Sequence, residues 1–170
     1  MSYPIETIAQ FIGAQRVGTC AGEVKWLLTD SRSLGFPEET LFFALVTGRG
    51  DGHRYIADLY NRGVRHFVVS VYPSGEMLQT MPEANFLVVD DTLVALQLLA
   101  EKHRAQYQIP VVGITGSNGK TVVKEWLSQL LGADLRVARS PRSYNSQIGV
   151  PLSVCSSICH TERGTPICEL

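Results

Sequence analysis

Neither sign of charge prevails in this chain of 170 residues: fifteen Lys and Arg stand against sixteen Asp and Glu, a formal net charge of −1. No global field therefore draws it to nucleic acid or to an anionic membrane, and any anion it binds must be met by local groups. Long apolar runs are lacking too. None approaches the roughly 18 residues that span a bilayer, and the start "MSYPIETIAQ" has neither the basic nor the apolar segment of a secretion signal, so the cytoplasm is the expected compartment. Internal repeats and low-complexity tracts are absent, which excludes solenoids and biased linkers. Cysteine is scarce: Cys20 stands alone, while Cys155, Cys159 and Cys168 crowd the last sixteen residues beside His160. Their C-x3-C-H spacing fits no common zinc knuckle, whose ligands come in C-x2-C or C-x4-C turns, so reduced thiols are expected there rather than a metal site.

What is present is ordinary core material, 45% hydrophobic, enough for one domain or two small ones. Strands are expected over "VKWLLT" (24–29), "TLFFALV" (40–46) and "HFVVS" (66–70), with a helix over "RYIADLYNRG" (54–63). Residues 71–85 carry two prolines and no period, which places a domain boundary near Ala84. A further strand, "FLVVD" (86–90), then leads into a helix that Asp91 or Thr92 can cap. Along one side of that helix lie Leu93, Leu96, Ala100, His103 and Tyr107, and His103 reads as a packed histidine rather than a ligand.

The run "IPVVGIT" shows no alternation, as for a parallel strand buried on both faces. After a glycine-rich loop, Val123, Trp126, Leu127, Leu130 and Leu131 recur at helical spacing, with Lys124, Glu125, Ser128 and Gln129 turned away from them. Strand, loop and helix together form a phosphate cradle: the first amides of such a helix lack intrahelical partners and converge on one point. Gly116 and Gly119 let backbone approach an anion, with Ser117 and Asn118 between them; Lys120 reaches the outer phosphates, and the Thr121 hydroxyl suits Mg²⁺. The common motif G-x-x-x-x-G-K-[ST] nevertheless fails, because Ile114 stands where it needs glycine.

The spelling of this loop, "GITGSNGKT", resembles the ATP loop of the Mur ligases, which add amino acids to the peptide of the bacterial cell-wall precursor, and of the related folylpolyglutamate synthases. Two further segments agree. "TDSRSL" (29–34), followed by "TLFFALVTGRGDGHRYI", is similar to the uridine-nucleotide-binding start of the Mur subgroup that takes longer UDP-muramoyl peptides, and "SYNSQIGVPLS" (143–153) to the N-x-x-x-G-x-P segment after the loop. "GKTVVKEWL" and "NSQIGVPLS" look closer to the members that add D-alanyl-D-alanine than to those that add the third residue. The resemblance covers about residues 3 to 154.

It implies an enzyme that uses ATP and Mg²⁺ to phosphorylate the terminal carboxylate of UDP-N-acetylmuramoyl-tripeptide. The amine of D-alanyl-D-alanine then attacks the acyl phosphate, a step of peptidoglycan precursor synthesis. Residues 116–121 would hold ATP, with Lys120 and Thr121 catalytic and Thr121 on the metal; Ser31 and Arg32 would hold the UDP moiety. Asp30 braces their turn. Asn145 would lie near substrate or phosphates, or else cap a loop. Gly50, Asp51, Gly52 and His53 form a flexible turn near the nucleotide in relatives, where His53 either donates to the ligand or packs.

The expected fold is thus α/β: a small nucleotide-sugar-binding domain (1–84), the truncated start of a P-loop parallel-sheet ATPase domain (85–154), and an atypical tail (155–170). From Cys155 onward the family pattern is lost, and a truncation, a changed reading frame or a diverged tail would each look alike. The acidic Mg²⁺ ligand, the lysine that relatives carbamylate and the domain that receives D-alanyl-D-alanine are all missing, so the fragment is expected to be inactive alone. Some such ligases are fused to an alanine racemase, whose cofactor-binding lysine would lie beyond Leu170. Three rival readings remain: a third-residue-adding or folylpolyglutamate-type ligase, a small kinase for which the tail offers Arg163 alone, and a non-catalytic nucleotide-binding or docking module.

Overall fold

The computed structural model describes residues 2–48, 50–139, 146–157 and 166–169. It divides into two compact units, Met1–Leu99 and Ala100–Leu170.

In the first unit β1 (Tyr3–Pro4), α1 (Ile5–Phe11), β2 (Gln15–Val17), β3 (Glu23–Val24) and β4 (Trp26–Leu28) precede β5 (Thr40–Phe43). A hairpin of β6 (Val46–Thr47) and β7 (Gly50–Asp51) then leads to α2 (Ile56–Asn61), β8 (His66–Val69), α3 (Gly75–Thr80) and β9 (Asn85–Val88). Five strands make one sheet in the order β2-β9-β8-β5-β4. Four of them run parallel, and β2 is antiparallel on β9. Every residue of β5 and β8 is buried, as unbroken apolar runs covered on both faces require.

Register places Phe42 opposite Phe67 and Phe67 opposite Phe86. The first pair meets edge to face at 6.5 Å and the second stacks at 5.6 Å, so three adjacent strands are tied by one aromatic row through cross-strand contact. Ile56 and Leu59 of α2 join the same core.

The boundary expected near Ala84 is displaced. Strand β9 pairs with β8 and with β2, partners roughly 20 and 70 residues back in the chain, and these ladders hold it in the first unit. The division falls instead inside α4 (Thr92–Ala105). Asp91 caps that helix, accepting from the amides of Leu93 at 2.7 Å and Val94 at 3.0 Å, while the Thr92 hydroxyl donates to the Ala44 carbonyl.

The second unit holds β10 (Val111–Val112), α5 (Lys120–Leu131), β11 (Arg136–Arg139), α6 (Gly149–Ser157) and β12 (Pro166–Glu169). Its sheet is parallel, in the order β10-β12-β11. The stretch set apart as a tail therefore ends α6 and supplies the middle strand. Cys155 is buried in α6, and burial pushes its thiol up to about 12, far from a metal-binding thiolate. Cys159 and His160 lie outside the described residues.

The outcome on α5 (Lys120–Leu131) is mixed: Leu127 and Leu131 are half-buried and Gln129 is exposed, as expected, while other positions depart from the expectation. On α5, Trp126 is 69% and Leu130 73% exposed, whereas the Lys124 side chain is only 13% exposed and sits 3.6 Å from Glu125. A sheet of three short strands offers too little apolar surface to cover a helix of this length.

Candidate functional site

In the second unit, β10 ends at Val112 and α5 begins at Lys120, so the glycine-rich stretch is the loop between strand and helix. Gly116 and Gly119 have φ of 148° and 77°, backbone that L side chains rarely adopt. No neighbouring atom crowds a Cβ at Gly119, and the nearest at Gly116 is at an ordinary 3.8 Å. Glycine is thus needed here for conformation rather than for space. Gly119 caps α5 without any side-chain hydrogen bond, and the first bond of the helix runs from the Val123 amide to its carbonyl at 2.9 Å. Such an uncapped start, with left-handed residues before it, makes a concavity of backbone donors. The Lys120 ammonium folds back over the loop and donates to the Gly116 carbonyl, which puts a cation at the mouth. Thr121 follows in the first turn, and Ser117 and Asn118 are exposed.

Asn145 lies outside the described residues. At the next position, Ser146 Oγ accepts from the Gly149 amide at 2.9 Å and opens α6.

In the first unit, Ser31–Ser33 form a single 3-10 turn directly after β4. Asp30 caps it, accepting from the Arg32 amide at 3.0 Å. The same carboxylate accepts from Arg32 Nε and, at 2.6 Å, from a terminal guanidinium nitrogen. These bonds hold the Asp30 carboxyl down at about 2 and raise Arg32. Arg32 is nonetheless 87% exposed, so a diphosphate would compete with Asp30 for it. Sequence reasoning missed Arg62, which donates to the Ser31 carbonyl at 2.8 Å from 31 residues away; no local pattern signals such a pair.

The turn read as flexible is fastened. Gly50 and Asp51 pair with β6, and both ring nitrogens of His53 are engaged by protein, by Asp51 at 2.6 Å and by the Ser70 amide at 3.1 Å. Of the two roles open to His53, packing is the one realised.

Among the described residues no group of three or more His, Cys, Asp or Glu stands ready to hold a metal. The two clusters fall in different units, Ser31 and Arg32 in the first and residues 116–121 in the second.

No protein-family model matches the chain. Among curated proteins it is 35% identical over 135 residues to the UDP-N-acetylmuramoyl-tripeptide–D-alanyl-D-alanine ligase of Bacillus subtilis, covering 79% of this chain and 28% of that one. The enzyme of the same name from Synechocystis is 39% identical over 125 residues, 74% and 26% of the two chains. Less than a third of the length of these relatives is therefore spanned. Among solved structures, MurF from Acinetobacter baumannii matches all of this chain and 36% of its own, with a TM-score of 0.81 and 27% identity. The MurF ligase of Thermotoga maritima, solved with ADP, shares the fold over 86% of this chain and 31% of its own, with a TM-score of 0.68 and 24% identity.

Proposed function

Because the chain belongs to the Mur ligase family, matching the N-terminal region of its MurF-type members, we propose that it carries the nucleotide-sugar unit and the ATP phosphate loop of a cytoplasmic ligase. That ligase joins D-alanyl-D-alanine to UDP-N-acetylmuramoyl-tripeptide. Ser31 and Arg32 bind the diphosphate side of the nucleotide sugar, on a turn held by Asp30 and Arg62. ATP, when bound, supplies the phosphoryl group that activates the tripeptide carboxylate. The protein's part in that step is positioning and charge neutralisation. Lys120 lies across the loop and faces the outer phosphates once its contact with the Gly116 carbonyl opens, while the Thr121 hydroxyl serves Mg²⁺.

The observation that carries this reading is the loop itself, with left-handed Gly116 and Gly119 leading into an uncapped helix and a lysine over its mouth. The chain spans less than a third of the length of its curated relatives, and the part of the reaction read from its own residues is the binding of the two nucleotides.

Isothermal titration of the 170-residue chain with UDP-N-acetylmuramoyl-tripeptide and with Mg-ATP tests the proposal. Heat is expected from both, more weakly from ATP. Lys120→Ala should abolish the ATP signal and leave nucleotide-sugar affinity within roughly twofold, since Ser31 and Arg32 belong to the other unit. A folded sample that gives no heat with either ligand would overturn the reading.

A further inference from the structure

The Asp51-Gly52-His53 turn contains contacts that binding through Ser31, Arg32 and the phosphate loop leaves unexplained. Gly52 donates its amide to the Leu45 carbonyl at 2.9 Å. A Cβ at Gly52 would stand 2.8 Å from the Leu45 nitrogen and 2.9 Å from Ala44 Cα, so only glycine lets the turn lie against the chain leaving β5. On either side of it, Asp51 Oδ1 accepts from the His53 amide at 2.9 Å and meets ring Nδ1 at 2.6 Å. The far ring nitrogen, Nε2, accepts from the Ser70 amide at 3.1 Å, at the carboxyl end of β8.

A backbone amide can only donate, so Nε2 carries no proton and the ring hydrogen sits on Nδ1, facing the carboxylate. The ring is 16% exposed and has no nitrogen left for a ligand. Asp51, Gly52 and His53 thus clip one crossover to the ends of two adjacent strands.

What the clip carries leads to the nucleotide-sugar turn. Residues 52–55 form a 3-10 turn that runs directly into α2. At the far end of α2, Arg62 holds the Ser31 carbonyl. The helix is short and is bracketed by His53 before it and Arg62 after it, so a shift at the first is passed to the second. Arg54, inside the turn, is itself tied back to the Asp51 carbonyl at 3.0 Å.

We propose that His53 is a positioning residue of the nucleotide-sugar site, locked in its Nδ1-protonated tautomer between Asp51 and Ser70, where it sets α2 and through Arg62 the Ser31–Arg32 turn. This rests on the reading of Ser31 and Arg32 as the residues that hold a uridine diphosphate. It separates His53 from the ligand: its influence on affinity is geometric.

Two substitutions divide the clip. His53→Asn places an amide where Nδ1 stands and keeps the Asp51 contact but gives up the acceptor for Ser70; His53→Gln places an acceptor near Nε2 and keeps the Ser70 contact. With UDP as the titrant and the 170-residue chain as the protein, His53→Gln should bind within about threefold of wild type. His53→Asn should bind roughly tenfold more weakly, the worth of one lost half-buried hydrogen bond, and its Ser70 amide should exchange faster. Imidazole nitrogen-15 spectra of wild type should report the Nδ1-protonated tautomer, a measurement independent of whether either variant folds. The opposite tautomer overturns the clip, and equal UDP affinity in wild type and His53→Asn overturns the positioning role alone. Failure of folded wild type to bind UDP removes the nucleotide-sugar reading and the positioning role with it.

Discussion

Gly18 shows how much a single missing side chain carries in this protein. It follows β2 with φ of 113°, and a Cβ there would stand 2.3 Å from the Ala84 carbonyl oxygen and 3.0 Å from Asn85 Oδ1. Asn85 is fully buried and is the centre of a polar network. Its Oδ1 accepts from two nitrogens of Arg16, each at 3.1 Å, and its Nδ2 donates to the Cys20 carbonyl and to His66 Nδ1. Arg16 also meets Glu6 at 2.6 Å. A buried network of this kind stabilises only while every member is satisfied. Gly18→Ala forces a disfavoured backbone and drives a methyl into a carbonyl that has no room to move, so it should lower unfolding free energy by about 3 kcal/mol. Gly35, where a Cβ would meet nothing within 4 Å, is the control: Gly35→Ala should leave stability unchanged or raise it by about 0.5 kcal/mol. Urea denaturation of both variants decides the matter, and equal midpoints would contradict the close approach at Gly18.

Helix α5 is the element in which local pattern and tertiary outcome part. Its apolar stripe is real in sequence, yet Val123, Trp126 and Leu130 are exposed. Trp126→Gln and Leu130→Lys, made together, should therefore change the stability of this chain by no more than about 0.5 kcal/mol per site, and light scattering should show less self-association. A loss above about 2 kcal/mol, the usual cost of emptying a core position, would mean that the face is covered. Element type was legible where the local pattern is strong: unbroken apolar runs became β5, β8 and β9, and the Asp91 cap and the glycine-rich start of α5 stand where local chemistry puts them, whereas α1, α3 and β12 arise in stretches that carried no such pattern. Legibility failed where a partner lies far along the chain. Nothing near "NFLV" shows that Asn85 answers Arg16, 69 residues away, and for that reason the expected boundary fell one strand too early. The phosphate loop could be read because its requirements are local, glycine conformation followed by a helix start. The hold of Arg62 on Ser31 and of His53 on Ser70 could not.

Each of the two units contains a buried histidine kept below its ordinary range, and this makes the whole molecule sensitive to mild acid. His66, in the first unit, is lowered chiefly by burial, with the Arg16 charge adding to it. In the second, burial takes His103 to about 4, its ring edge to face on Tyr107 at 5.2 Å. A histidine with a depressed pKa is neutral when folded and takes up a proton on unfolding once the pH drops below its ordinary value near about 6.5, so the unfolded chain binds more protons. Stability should hold steady above that value and fall as pH drops from there toward 4. His103 alone accounts for on the order of 3 kcal/mol at the low end. The Asp30 carboxylate, held at about 2 by Arg32, acts in a lower window: its contribution is present above the ordinary carboxylate range and is lost as pH falls toward 2, and exposure to solvent keeps it small. Histidines thus decide the first loss. Urea midpoints measured between about pH 7.5 and 5 should decline on the acid side, and His103→Gln should flatten part of that decline, because the remaining slope belongs to His66. A midpoint constant across this range in the wild-type chain would mean that neither imidazole is held neutral by burial, and identical slopes in wild type and His103→Gln would remove His103 from the account.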